Sequence, residues 1–326
     1  MQLNHVIKFL AAACALAASA VMAQGFASKV ITMVVPYPAG GGSDVMARVV
    51  NSEMGKQLGQ TIIVENVAGA GGAIGVQKVI SAPADGHTIL LGSPMELVLT
   101  PLGMAAARYK PEDLRLVGRW GSTSMVLLAR KDLPANSVDE LAALAKRPGN
   151  QELTYGSIGP GSLYHLLGER FTQLTGTKML HVPYKGGAPL VQDLLGGQID
   201  IVFMPLAGNI PDLIEGGKVK ALGLAAASRH PKLSSIPLIK DSKGMEDFVY
   251  GLWSGVQTSK SVPEDVAAKI NKAMNETLKN PEVRKAIEAG GSIPSSGASL
   301  AELARSYSAD IQAYRAIAKS INLQPQ

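Results

Sequence analysis

Short runs of β-branched and apolar residues alternate with longer stretches whose apolar positions recur every three to four residues, the alternation that builds parallel sheets flanked by helices. The short runs predict strands at 30–35, 61–65, 88–91, 124–129, 153–155, 179–182, 199–203, 220–225 and 251–257. Helices fill the intervals. In the first, 44–58, the spacing places Val45, Met46, Val49, Val50 and Met54 on one buried face. Beyond Pro263 the pattern is mostly helical, with Pro263 and Pro281 near the first turns of two helices. Two stretches rich in Gly and Trp, 118–124 and 249–255, read as crossings between two lobes. That assigns 24–121 and 251–326 to one lobe and 122–250 to the other. No segment repeats with a period of roughly 20–50 residues.

The N-terminus changes the picture first. Lys8 in a short polar start, an apolar run from Phe9 to Ala20 and the small-residue pattern Val21-Met22-Ala23 predict a signal peptide over 1–23 that is removed on export. The run is shorter than the roughly 20 residues a spanning helix needs. Removal leaves 303 of the 326 residues, enough for two lobes with separate cores, and lowers the formal charge from +5 to +4 because Lys8 departs. Cys14, the sole cysteine, lies inside the apolar run, so the mature chain is expected to carry no thiol, disulfide or Cys-ligated metal. As a lipid-attachment site Cys14 is poor, since Ala11 rather than Leu stands three residues before it. The pI of about 9.1 is a weak argument for nucleic acid, because the charges are mixed along the chain and aromatic residues make up only 5%.

Candidate chemistry concentrates in glycine-rich turns. In Ile31 to Asp44, ITMVVPYPAGGGSD, a buried strand exits through Pro36-Tyr37-Pro38 and Ala39 into Gly40-Gly41-Gly42, where backbone amides approach a ligand without side-chain obstruction. Ser43 or Asp44 then caps a helix whose N-terminus carries free N–H groups and a partial positive charge. This is an anion site at the carboxyl end of a strand, and the missing Lys-Ser/Thr pair of a phosphate loop favours a carboxylate over a nucleotide. Asp44 alone reads better as a helix cap than as a ligand contact. In the second half, Tyr155 to Ser162 repeats the strand, glycine turn and helix, with Ser162 as cap and Tyr164 and His165 in the first turn. Two such helix starts facing each other either hold the two ends of a diacid or grip one carboxylate from both sides.

Other strand ends add candidates. Ser93, before Met95, is the expected contact in the first lobe; in the second, Tyr184 of HVPYKGG lines the cleft, Lys185 is the cation best placed to attract an acid, and Met204 closes a strand. Around Met95, Tyr164, Tyr184 and Met204 lie the side chains expected to choose the body of the ligand. The second glycine cluster, 69–75, invites a dinucleotide reading, but the acidic residue that should end the next strand is absent: Asp85 precedes it, in a turn. A tight turn shaping the cleft is the better account. Catalytic patterns are missing: there is no G-x-S-x-G, no H-E-x-x-H and no histidine pair at metal-ligand spacing. Neither a metal nor a cofactor is expected. A Ser-His-Asp triad assembled in space stays open, and with it a secreted α/β hydrolase.

The segments VPYPAGGGSDVMAR, VENVAGAGGAIG, GPGSLYH and HVPYKGGAPLVQDLLGGQIDIVF resemble the solute receptors of the tripartite tricarboxylate transporters, the Bug receptors, along essentially the whole mature chain. The resemblance implies an α/β, type II periplasmic binding protein fold: two α/β lobes on a two-strand hinge with a ligand cleft between them. It also implies a monomeric, non-enzymatic receptor in the periplasm that delivers a small organic acid to membrane permease subunits, or else feeds a sensor. Carried over residue by residue, it implicates Tyr37, Ala39, Gly40, Ser43 and Asp44 on one side and Ser157, Gly161, Ser162 and His165 on the other. Two positions depart from the pattern. Many relatives have Arg at Val67 and an acidic or polar residue at Met204, so an amino acid loses appeal and an aromatic or aliphatic acid gains.

Overall fold

The computed structural model describes residues 29–321 and 323, apart from 148, 150, 151 and 232. The expected signal peptide and Cys14 lie outside the described residues. In the first lobe β1 (Ile31–Val35) leads into α1 (Gly42–Leu58), β2 (Ile62–Asn66), α2 (Ala73–Ser81) and β3 (Thr88–Gly92). β1 lies between β2 and β3 and pairs with both in parallel. After β4 (Leu114–Arg130) the second lobe follows the same logic. It contains α3 (Val138–Ala145), β5 (Leu153–Ser157), α4 (Leu163–Thr175), β6 (Met179–Pro183), α5 (Gly187–Leu195), β7 (Ile201–Pro205), α6 (Ile210–Glu215) and β8 (Val219–Ala225). β9 (Gly251–Ser259), α7 (Glu264–Thr277), α8 (Pro281–Ala289), β10 (Ile293–Pro294) and α9 (Leu300–Ser320) complete the chain.

β4 joins the two halves. Its first part, Leu114 to Ser124, pairs antiparallel with β9, and its last part, Met125 to Arg130, lies between β7 and β8. Seventeen residues at about 3.3 Å each make one strand long enough to serve both sheets. The sequence reading divided this strand, assigning a strand at 124–129 and a glycine-rich crossing at 118–124. The glycines are there for close approach. A Cβ on Gly118 would stand 2.5 Å from Cγ of Met274 on α7, and one on Gly255 of β9 would stand 2.2 Å from the Gly118 carbonyl oxygen. The helix α9 straps the pair from outside: Asp310 meets Arg119 at 2.7 Å, the Arg119 guanidinium lies 4.6 Å from the Trp253 ring centre, and the Tyr314 hydroxyl donates to the Gly251 carbonyl at 2.6 Å.

The face of α1 differs from the expected one in one position. Met46, Val50 and Met54 are buried and Val49 partly so, but Val45 is 53% exposed, and Ala47 takes the inward place. The helix starts at Gly42 rather than 44, and at about 100° per residue the buried positions 46, 47, 50 and 54 share one stripe while Val45 falls on the far side.

Beneath the second glycine turn the rings of Tyr155, His181 and His165 form a stack, with centroids 4.9 Å apart from Tyr155 to His181 and 4.3 Å from His181 to His165. The Tyr155 hydroxyl donates to Glu169. His181 Nε2 lies 2.6 Å from the Ser157 hydroxyl. Burial, reinforced by the neighbouring His165 ring, holds the His181 pKa down at about 4. Burial also lowers that of His165, against the pull of Glu169.

Two outcomes are expected. Gly255→Ala forces a methyl against backbone that no side-chain rotation can clear, and lowers stability by about 1–3 kcal/mol; an unchanged denaturant midpoint would contradict this packing. The folded protein keeps His181 neutral down to about pH 4, whereas the unfolded chain takes up that proton near its usual 6.5, so acid favours unfolding. The contribution is intact above about pH 6.5 and declines as the pH falls toward 4. Thermal melts should therefore lose less between pH 6.5 and 4.5 in His181→Gln than in the unaltered protein, and equal slopes would exclude the effect.

Candidate functional site

The site begins where β1 ends. Gly40 has φ of +80° with no atom within 4 Å of a would-be Cβ, so glycine is needed there for its backbone conformation and not for room. The N-cap of α1 is Gly41, in extended conformation, and no side chain caps the helix, which corrects the expectation that Ser43 or Asp44 would. Asp44 instead sits in the first turn and reaches back: its Oδ2 accepts the Gly40 N–H at 2.9 Å, and the carboxylate pairs with Arg48 at 3.0 Å. Arg48, then the Gly40 amide, hold its pKa down at about 2. Asp44 is thus a brace for the loop, while the amides of the first turn carry no side-chain acceptor.

Tyr37 is fixed from behind by a residue the sequence reading passed over. Glu96, 0% exposed, sits in a π-helical turn, Met95–Leu99. Its Oε2 accepts from the Tyr37 hydroxyl at 2.8 Å and from the Ser93 hydroxyl at 2.9 Å, its Oε1 accepts the Ser93 amide, and its carbonyl accepts from Tyr109. Burial pushes the Glu96 carboxyl above the usual range, opposed by these donors. Burial and the nearby Glu96 likewise raise the Tyr37 phenol. A lone acid inside the apolar run MELVL is the one sequence signal that could have flagged it. The cluster at 69–75 is a packing device: a Cβ on Gly72 would stand 2.6 Å from Glu96 Cβ, and one on Gly75 2.9 Å from Pro36.

The second turn is more self-contained. Ser162 caps α4, accepting the His165 amide at 3.4 Å and donating to the Gly159 carbonyl at 2.7 Å. The Gly161 amide donates to His165 Nδ1 at 3.1 Å. Ser157, 0% exposed, accepts the Gly159 amide at 3.0 Å besides meeting His181.

A cavity of about 310 Å³ joins the two turns. On the first lobe Tyr37, Met95, Leu99, Thr100 and Met104 line it with the backbone of Gly71 and Gly103; on the second, Ile158, Pro160, Gly161 and Ser162. Of the expected residues, Tyr37, Met95, Gly161 and Ser162 therefore meet in one space. Ala39, Gly40 and Gly41 are exposed on the loop beside Tyr37, with Ser43 half-buried behind them. Ser93 is tied to Glu96, Tyr164 is buried in α4, Tyr184 donates to Asp193 at 2.8 Å, and Met204 is 6% exposed in the core against β4. A larger cavity, about 530 Å³, lies between Leu206 to Glu215 and Arg284 to Pro294. Asp212, Glu215 and Glu288 on its wall disfavour an anion, and Arg284 there donates to the backbone carbonyls of Leu278 and Ser295. Among the described residues no group of three or more His, Cys, Asp or Glu is arranged to hold a metal ion.

This geometry has counterparts. The model of the tripartite tricarboxylate transporter family receptor matches residues 46–323. BugT of Bordetella pertussis is 36% identical over 282 residues, which cover 85% of this chain and 85% of BugT. The periplasmic binding protein BugD has a similar structure, with a TM-score of 0.74 at 30% identity over 91% of this chain and 99% of BugD. Rpa4515 of R. palustris, solved with adipate, has a TM-score of 0.77 at 29% identity over 91% and 98%. A type II periplasmic binding protein fold, two α/β lobes and a family match across most of the length lead to one conclusion: the chain belongs to the tripartite tricarboxylate transporter receptor family, whose members are periplasmic solute-binding proteins.

Proposed function

We propose that this chain captures a small organic acid between its lobes and hands it to membrane permease subunits of a tripartite transporter, as a monomer and without making or breaking a bond. The observation that carries this reading is the cavity in which Tyr37, at the exit of β1, faces Gly161 and Ser162, at the start of α4. The uncapped first turn of α1, beside Tyr37, offers amide donors and the positive end of the helix to one carboxylate. Gly161 and Ser162 line the opposite wall, and Ser157 and His165 support it from behind through hydrogen bonds within the turn and to His181. The adipate held by Rpa4515 is in keeping with an acid guest.

The lobes, 24–121 with 251–326 and 122–250, are taken to rotate about the crossings in β4 and before β9, and the closed form gains population because the ligand touches both. The hydrolase alternative has one contact in its favour, Ser157 against His181 at 2.6 Å. A substrate carbonyl has no route to a serine with no exposed surface, so this pair serves to support the turn.

Calorimetric titration of the exported form against mono-, di- and tricarboxylates should give saturable binding for at least one acid, and no heat across the whole panel would end the proposal. Gly40→Val places a β-branched residue at φ +80°, a strain of roughly 1–3 kcal/mol that the loop relieves by changing shape. Affinity for the acid should fall about tenfold or more, while the circular dichroism spectrum stays that of the folded protein. Undiminished affinity would remove the first glycine turn from the site.

A further inference from the structure

From the walls of the 310 Å³ cavity we infer that it receives the uncharged, apolar body of a monocarboxylic acid, so that the protein selects acids bearing a chain of about six carbons, or a single ring, over diacids of the same length. This rests on the acid-receptor reading above and adds the substrate class to it.

Among the described residues no Lys, Arg, His, Asp or Glu lines the cavity. Its hydroxyls already have acceptors: Tyr37 donates to Glu96 at 2.8 Å, Thr100 to the Gly71 carbonyl at 2.8 Å and Ser162 to the Gly159 carbonyl at 2.7 Å. Four of its amides are engaged in the same way. Gly161 donates to His165 Nδ1, Ser162 to Gly159, Met104 to Thr100 and Met95 to the Ser93 hydroxyl. A second carboxylate placed here would lose its water and find no cation and no free hydroxyl among the described residues, the situation that makes burial of a charge costly. Behind the wall, the group that holds the Tyr37 hydroxyl is Glu96, itself a carboxyl.

What the cavity does offer is apolar contact. Met95, Leu99 and Met104 from the first lobe and Ile158 and Pro160 from the second line it, together with Tyr37. Methionine adapts its three rotatable bonds to an irregular guest, so two of them suit a flexible chain as well as a ring. The volume is about twice the roughly 150 Å³ of an apolar cavity that takes up benzene. Because the walls come from both lobes, apolar area buried here favours the closed form directly.

The test is calorimetric titration of the purified exported protein at neutral pH with hexanoate, phenylacetate and adipate, the first and last having the same number of carbons. Hexanoate or phenylacetate should bind at least tenfold more tightly than adipate, a difference of about 1.4 kcal/mol. Adipate binding as tightly as the monoacids, or silent monoacids while another acid binds, overturns the inference and leaves the receptor reading standing. Silence from every acid overturns both. A variant probes the cavity itself: Met104 is half-buried in a non-helical stretch, so Met104→Arg is expected to fold and to supply the missing cation. It should shift the adipate-to-hexanoate preference by tenfold or more toward adipate. An unchanged ratio in a folded variant places the ligand outside this cavity.

Discussion

The close pairing of β4 with β9 is the contact on which the rest of the molecule depends. Gly255 and Gly118 lie so near each other that no side chain fits between the strands, and Met274 of α7 fills the space over Gly118. Glycine usually weakens a strand, since it contributes no packing and loses much freedom on folding. Here the loss is offset by what the approach permits: one long strand enters both sheets, so the lobes share a backbone element and not merely a linker. The strap of α9, with its Arg119–Asp310 pair and two buried tyrosine hydroxyls on backbone carbonyls, holds that seam from the outer side.

The two glycine turns sit on opposite sides of this seam and differ in electrostatic character. In the first, Asp44 is turned inward to Gly40 and Arg48, which leaves the first-turn amides of α1 without a side-chain partner and keeps the local carboxylate neutralised. In the second, Ser162 and His165 satisfy the turn from within. One helix start offers donors and the other offers a closed, mostly apolar wall, an arrangement suited to a guest with one charged end.

Each turn is supported from behind by a buried polar group. Glu96 collects the hydroxyls of Tyr37 and Ser93 beneath the first, and the stacked rings of Tyr155, His181 and His165 collect Ser157 and Glu169 beneath the second. A polar group without exposure is tolerable only when its partners are fixed, and the converse also holds: its demand for partners fixes them. The loops that meet in the cavity are thereby held in shape by groups that do not reach it.

Local chemistry was legible in the residue order. Alternating apolar runs announced the parallel α/β sheets, glycine and proline announced the turns at 36–42 and 156–162, and Ser162 announced a helix start, because each is a preference of the backbone within a few residues. The strand ends and the resemblance carried by VPYPAGGGSD and HVPYKGG led to the same architecture. What the order of residues did not contain was the choice of distant partners. Whether Tyr37 donates to Glu96, 59 positions away, whether Met104 comes to face Ile158, or whether Tyr184 turns to Asp193 and Met204 into the core depends on which surfaces are left after both sheets have packed. The capping of α1, by contrast, was settled locally, since Asp44 had Arg48 and the Gly40 amide, each four residues away, within reach at once. Turns and elements follow from short-range sterics and hydrogen bonding, whereas the identity of the cavity wall is a property of burial, which exists only once the chain has folded.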